Sequence, residues 1–195
     1  VTIDKVEDIT ATIDMDNTTA HLNCFGSTYG KITVRARGGK NDEGYRFAIS
    51  PVPSGVTSPN TTGVFEGLPA GTYTITVDQV NGGCPAVTKT QVITEEPKYR
   101  AQYEVKNVEC NGMNNGSFKV KNINPTTKLD GSVRKFTYAI TPHLDRFLDN
   151  DGKFEGLAPG KYYVIMQDEN GCRPEILDEG GTPTGSDIFE FTITE

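Results

Sequence analysis

Phe65-Glu66-Gly67-Leu68-Pro69-Ala70-Gly71-Thr72-Tyr73 is written a second time, with few changes, as Phe154-Glu155-Gly156-Leu157-Ala158-Pro159-Gly160-Lys161-Tyr162. A length of 195 residues allows one large domain or two small ones, and internal repetition decides between them. Outward from this stretch the order of motifs is kept. Cys24-Phe25-Gly26 with Gly30-Lys31-Ile32-Thr33-Val34 returns as Cys110-Asn111-Gly112 with Gly116-Ser117-Phe118-Lys119-Val120. Tyr45-Arg46-Phe47-Ala48-Ile49-Ser50-Pro51 returns as Phe136-Thr137-Tyr138-Ala139-Ile140-Thr141-Pro142, Asn81-Gly82-Gly83-Cys84 as Asn170-Gly171-Cys172, and Ile93-Thr94-Glu95 as Ile193-Thr194-Glu195. The offset grows from 86 residues at the first cysteine to 100 at the last strand, as loop insertions around a fixed framework produce. The expected division is therefore residues 9–97 and 98–195, with a boundary at Glu95-Glu96-Pro97. Val1-Thr2-Ile3-Asp4 is similar to Val92-Ile93-Thr94-Glu95, so residues 1–8 read as the end strand of a preceding repeat plus a linker.

Within each copy apolar and polar residues alternate: Ile32 and Val34; Tyr45, Phe47 and Ile49; Tyr73, Ile75 and Val77; Phe136, Tyr138 and Ile140; Tyr162, Val164 and Met166. A period of two marks half-buried strands, because successive side chains leave opposite faces of a sheet. Turn residues at Gly38-Gly39, Asn81-Gly82-Gly83, Asn150-Asp151-Gly152 and Asn170-Gly171 separate these runs. Short strands at this spacing predict an all-β chain: two tandem immunoglobulin- or fibronectin-like antiparallel β-sandwiches in a linear array. The Leu-to-Tyr segments are similar to the crossover into the sixth strand of that fold, with Tyr73 and Tyr162 bonding back to the turn and Gly71 and Gly160 shaping it.

The net charge is -7, which argues against a nucleic-acid partner, since such affinity rests on clustered Lys and Arg. No run has the length and apolarity of a membrane-inserting helix.

The four cysteines, one pair per copy, lack metal-type spacing and read as disulfides of an oxidising compartment, hence an extracellular setting. Two pairings compete. Bonds within each copy would join Cys24 to Cys84 and Cys110 to Cys172. A sandwich, however, places a turn after its first strand and the hairpin after its sixth at opposite ends, too far apart for a bridge. In a head-to-tail array the Cys24 turn instead approaches the Cys172 hairpin, and this cross-copy bond is the favoured reading. Cys84 and Cys110 would then bond to neighbouring repeats.

The ordered motifs C-x-G-x(3)-G-x-[IF]-x-V, an aromatic-x-aromatic strand, G-L-x-x-G-x-Y, N-G-C and a closing I-T-E resemble the SprB-type repeat of giant cell-surface adhesins in gliding Bacteroidota. The resemblance covers both copies. It implies immunoglobulin-like repeats in a surface filament exported by the type IX pathway, with a role in adhesion and gliding motility. Its partners would be neighbouring repeats of the same chain and a surface polysaccharide or protein ligand. An alternative reading is a carbohydrate- or protein-binding accessory module of a secreted multidomain enzyme.

No catalytic constellation is expected. His21 and His143 occupy non-equivalent positions, and Glu104, Glu109, Asp168 and Glu169 read as a solvated face. Asp145, Asp149 and Asp151 concentrate carboxylates around a turn and form a weak Ca2+ candidate that lacks the bidentate Glu of an EF-hand. No cofactor is expected. The aromatic residues of the alternating runs read as core. The unequal loops at residues 122–133 and 178–187 are the expected places for ligand contacts.

Overall fold

The computed structural model describes residues 6–40, 44–81 and 84–195. The chain divides into two compact units, Val1–Glu96 and Pro97–Glu195, called repeat 1 and repeat 2 below. The residues proposed as an earlier repeat's end strand lie partly outside the described residues. Glu7 and Asp8 belong to the first strand of repeat 1 itself.

Repeat 1 contains β1 (Glu7–Ile13), β2 (His21–Leu22), β3 (Gly30–Gly39), β4 (Tyr45–Ser50), β5 (Val64–Leu68), β6 (Gly71–Gln79) and β7 (Val87–Glu95). They form two sheets, ordered β1-β3-β5 and β2-β7-β6-β4. The chain changes sheet between residues 13 and 21: β1 runs antiparallel to β3, a 3-10 turn follows at Met15–Asn17, and β2 runs parallel to β7. Asp14 fixes the switch. Its Oδ2 accepts bonds from Asn17 Nδ2 at 2.9 Å and Arg35 Nε at 2.7 Å, contacts that hold its carboxyl below the usual carboxylate range.

The alternating residues of both sheets face inward, as a two-layer fold requires. Ile32, Val34, Phe65 and Leu68 pack from one sheet, and Phe47, Ile49, Tyr73, Ile75, Val77 and Ile93 from the other.

Repeat 2 contains β8 (Arg100–Lys106), β9 (Gly116–Asn124), β10 (Phe136–Ile140), β11 (Lys153–Leu157), β12 (Gly160–Asp168), β13 (Glu175–Ile176) and β14 (Ile188–Ile193). Its sheets are β11-β9-β8-β13 and β10-β12-β14. The core is more aromatic than that of repeat 1. Phe118 stacks on Phe191 at 4.5 Å and meets Phe189 edge-on at 5.6 Å.

The shared motif residues have the same roles twice. Tyr73 donates its hydroxyl to Pro69 O at 2.9 Å, and Tyr162 donates to Ala158 O at 3.0 Å. A Cβ at Gly30 would stand 2.5 Å from Leu68 O, and one at Gly116 would stand 2.7 Å from Ile193 Cγ2. The glycine opening each second major strand is thus demanded by close approach. Gly71 and Gly160 are less constrained by contact, since a Cβ there would lie 3.7 and 3.8 Å from the tyrosine ring. Gly67 (φ +76) and Gly156 (φ +73) are left-handed in both copies, and Gly160 (φ +157) also has a backbone that residues with a side chain rarely adopt. Ser50-Pro51 and Thr141-Pro142 are both cis at matching positions.

Candidate functional site

Each repeat carries one cysteine at either end. In repeat 1 the strand register sets the two ends. Gly71 of β6 pairs with Ile93 beside β2, and eight residues later, at the other end of the strand, Gln79 pairs with Tyr45. Cys24 follows β2 at the first end, and Cys84 lies between β6 and β7 at the second. A nine-residue strand spans about 26 Å, against about 7 Å allowed between bridged Cα atoms. The same register in repeat 2 places Cys110 near Gly160 and Ile193, and Cys172 near Phe136 and Asp168. Cys24 and Cys172 are in disulfide form, while Cys84 and Cys110 are free thiols.

The end of repeat 1 that bears Cys24 is built around the departing chain. Glu96 N–H donates to Leu22 O at 3.0 Å, and Gly26 N–H donates to Glu95 Oε2 at 2.6 Å. His21 Nε2 lies 3.2 Å from Glu96 Oε1, and its Nδ1 lies 2.9 Å from Thr94 Oγ1. The turn around Cys24 and the last residues of the repeat are one hydrogen-bonded unit.

The end of repeat 2 that bears Cys172 is built around the arriving chain. Tyr99 donates its hydroxyl to Cys172 O at 2.5 Å, and burial pushes that phenol far above its ordinary pKa. Arg134 Nη2 donates to Pro97 O at 3.1 Å, its Nη1 donates to Asp168 Oδ2 at 2.8 Å, and its guanidinium lies 5.3 Å from the centre of the Tyr99 ring. Asp168 Oδ1 accepts the amides of Asn170 at 2.9 Å and Cys172 at 3.0 Å.

Asp168 is a correction to the sequence reading. It is not part of a solvated face: its side chain is fully buried, as is that of Arg134. A buried carboxylate persists only when its charge and lone pairs are matched, and here both oxygens are. The signal in the sequence was faint. Asp168 occupies the position of Gln79, six residues after the repeated tyrosine, but Arg134 stands 34 residues away with no periodic link to it. Glu104, Glu109 and Glu169 are exposed, and Glu169 pairs with Lys128.

Asp145, Asp149 and Asp151 are exposed, and among the described residues no three His, Cys, Asp or Glu side chains gather in a way that could hold a metal ion. Asp149 and Asp151 face Tyr138, whose phenol burial pushes up to about 12 with their negative charge adding to the effect. Phe47, Tyr73 and Tyr138 are buried, while Tyr45, Phe136 and Tyr162 are half-buried.

Both long loops have internal order. Residues 126–134 form a hairpin closed by the Arg134 amide on Thr126 O at 2.8 Å. Residues 173–187 add β13 beside β8 in parallel, a strand the sequence reading missed. Glu175 clamps it by accepting from Arg100 Nε at 2.6 Å and Lys98 Nζ at 3.0 Å.

No protein-family model and no curated protein matches the chain. Among solved structures it is similar to a 1.5-MDa bacterial ice-binding adhesin, at 14% identity and a TM-score of 0.40 over 97% of this chain and 65% of that one. It is also similar to the C-terminal 282-residue fragment of intimin in complex with the intimin-binding domain of the translocated intimin receptor, at 10% identity and a TM-score of 0.38 over 98% and 64%. A third likeness is to the four N-terminal Ig domains of Dscam1, at 12% identity and a TM-score of 0.31 over 89% and 46%. The chain spans about half the length of the Dscam1 segment and just under two thirds of the other two.

Proposed function

We propose that the chain is a pair of force-bearing spacer repeats from an extracellular cell-surface adhesin, with Cys24 bonded to Cys172 as a staple across the joint between them. The observation that carries this reading is the distribution of oxidised cysteines. Each repeat holds its two cysteines at opposite ends, and the two oxidised ones come from different repeats. Cys24 belongs to the end that holds Glu96, and Cys172 to the end that holds Tyr99. Three peptide units separate Glu96 from Tyr99, a reach of at most about 11 Å, so backbone continuity favours the approach of the two sulfurs.

The staple has a mechanical consequence. Load entering before Cys24 and leaving after Cys172 crosses the sulfur bridge, so the intervening ~150 residues, roughly 500 Å of chain if fully extended, stay off the force path. The finer assignment, SprB-type repeats of Bacteroidota with type IX export and gliding, rests on the motif resemblance. The ligand, a surface polysaccharide or a protein, would then be met by the longer loops or elsewhere in the parent adhesin.

Peptide mapping without reduction tests the pairing, and pulling on the two termini of single molecules tests the role. The expected results are a Cys24–Cys172 linked peptide and an unfolding extension of roughly a quarter of the full chain length, rising to the whole length on reduction. A Cys24–Cys84 peptide, or full extension without reductant, would overturn the reading. Reproducible binding of the isolated pair on a glycan array would favour the accessory-module alternative.

A further inference from the structure

Two thiols remain after the staple is assigned, and their positions are not arbitrary. Cys110 occupies in repeat 2 the place that oxidised Cys24 holds in repeat 1: each is followed at the second position by a left-handed glycine, Gly112 (φ +82) and Gly26 (φ +73), and at the sixth by the close-packed Gly116 and Gly30. Cys84 occupies in repeat 1 the hairpin that oxidised Cys172 holds in repeat 2. Cys110 is exposed, and Cys84 is half-buried at the edge of the repeat 1 core. Every cysteine site of the repeat is thus seen oxidised once and free once. The free pair consists of one of each type, at opposite ends of their sandwiches.

We infer that Cys84 and Cys110 are the two halves of further joints of the same kind, each bonding a neighbouring module of this repeat type: Cys110 to the hairpin cysteine of the module that follows, Cys84 to the turn cysteine of the module that precedes. This rests on the staple reading above. The contact is head-to-tail, because a turn cysteine meets a hairpin cysteine and never its own kind. Such heterologous contacts do not close on themselves and propagate a line.

Joining the two thiols forms one S–S bond and releases two protons and two electrons. A disulfide oxidant such as oxidised glutathione accepts them, passing through a mixed disulfide and leaving as two thiols. In an array stapled at every joint the shortest covalent route past two repeats runs only from Cys84 to Cys110. That is roughly 26 residues, or about 90 Å of extended chain, so the filament gains almost no length under load even if its sandwiches unfold.

The full chain supplies both halves, and two variants separate them. Cys84→Ser keeps only the Cys110 thiol, and Cys110→Ser keeps only Cys84. Each is incubated alone, and the two are mixed, at high concentration in a glutathione redox buffer, with folding checked by circular dichroism. The mixture is expected to give a covalent dimer carrying a Cys110–Cys84 linked peptide, in about tenfold excess over dimers from either variant alone. The unsubstituted chain should give a ladder of oligomers. Equal dimer yield from the single variants, or only glutathione adducts in the mixture, would overturn the inference. The same digests report Cys24: if it stays linked to Cys172 while the mixed dimer fails, this inference falls alone, and if it does not, the staple reading falls first.

Discussion

Gln79 in repeat 1 and Asp168 in repeat 2 close the same end of the same sandwich with different chemistry. Each is the last residue of its strand and is buried, at 3% and 2% exposure. Gln79 turns its carboxamide onto the backbone of Lys40, donating to Lys40 O at 3.0 Å and accepting from Lys40 N at 3.1 Å. Gly39 makes the room, since a Cβ there would lie 2.6 Å from the carboxamide. Asp168 instead binds Arg134 with one oxygen and the amides of Asn170 and Cys172 with the other. The neutral clamp fixes the backbone of Lys40 just past β3, whereas the charged one fixes the hairpin that carries Cys172. A charge in that place is sustainable because three donors converge on it. It holds Cys172 in position through the hairpin backbone rather than through packing.

Breaking the charged clamp should have the larger effect. Asp168→Ala leaves the Arg134 guanidinium buried without its carboxylate and should lower the stability of repeat 2 by about 3–5 kcal/mol, read from urea unfolding followed by NMR signals of that repeat. Pairing Arg134→Met with Asp168→Leu should recover much of the loss, because two apolar side chains remove both charges together. A loss under about 1 kcal/mol in the single variant would show that the ion pair does not hold this end. Gln79→Ala, which removes two neutral hydrogen bonds, should cost repeat 1 about 1–3 kcal/mol by the same measurement. If the two single variants cost the same, the contrast between the clamps has no energetic content.

The smallest effect sharpens a second difference between the hairpin regions. Repeat 2 adds β13 there, held by Glu175 between Arg100 and Lys98, whose hydrogen bonds lower the Glu175 pKa, with Arg100 the larger influence. A carboxyl whose folded value is depressed stabilises above its ordinary value near 4.5 and loses that contribution as the pH falls below it, through the folded value. The protection factors of the Glu175 and Leu177 amides, which bond to Tyr99 O and Ala101 O, taken relative to the intrinsic exchange rate at each pH, should therefore fall on acidification, while β8 amides bonded to β9 stay protected. Unchanged protection of Glu175 and Leu177 between neutral pH and a pH below the folded value would mean that the clamp does not hold the strand.

Most of the framework was legible from residues alone. Period-two runs such as Tyr73-Ile75-Val77 and Tyr162-Val164-Met166 become β6 and β12, because burying one face of a strand forces that alternation. The sheet switch after β1 was not legible, since an alternating pattern does not say which sheet a strand joins. Nor was β13: two residues carry no period, and its place is set by Lys98 and Arg100, more than 70 residues away.

The repeated order of motifs in the chain settled the two-sandwich plan, the longer alternating strands and the placing of one cysteine at each end, since local alternation and turn chemistry act over a few residues. Tertiary structure alone decided that Asp168 is buried with Arg134 and that Tyr99 holds the Cys172 hairpin. Those outcomes depend on single residues meeting across long stretches of chain, and such meetings leave no periodic trace in a sequence.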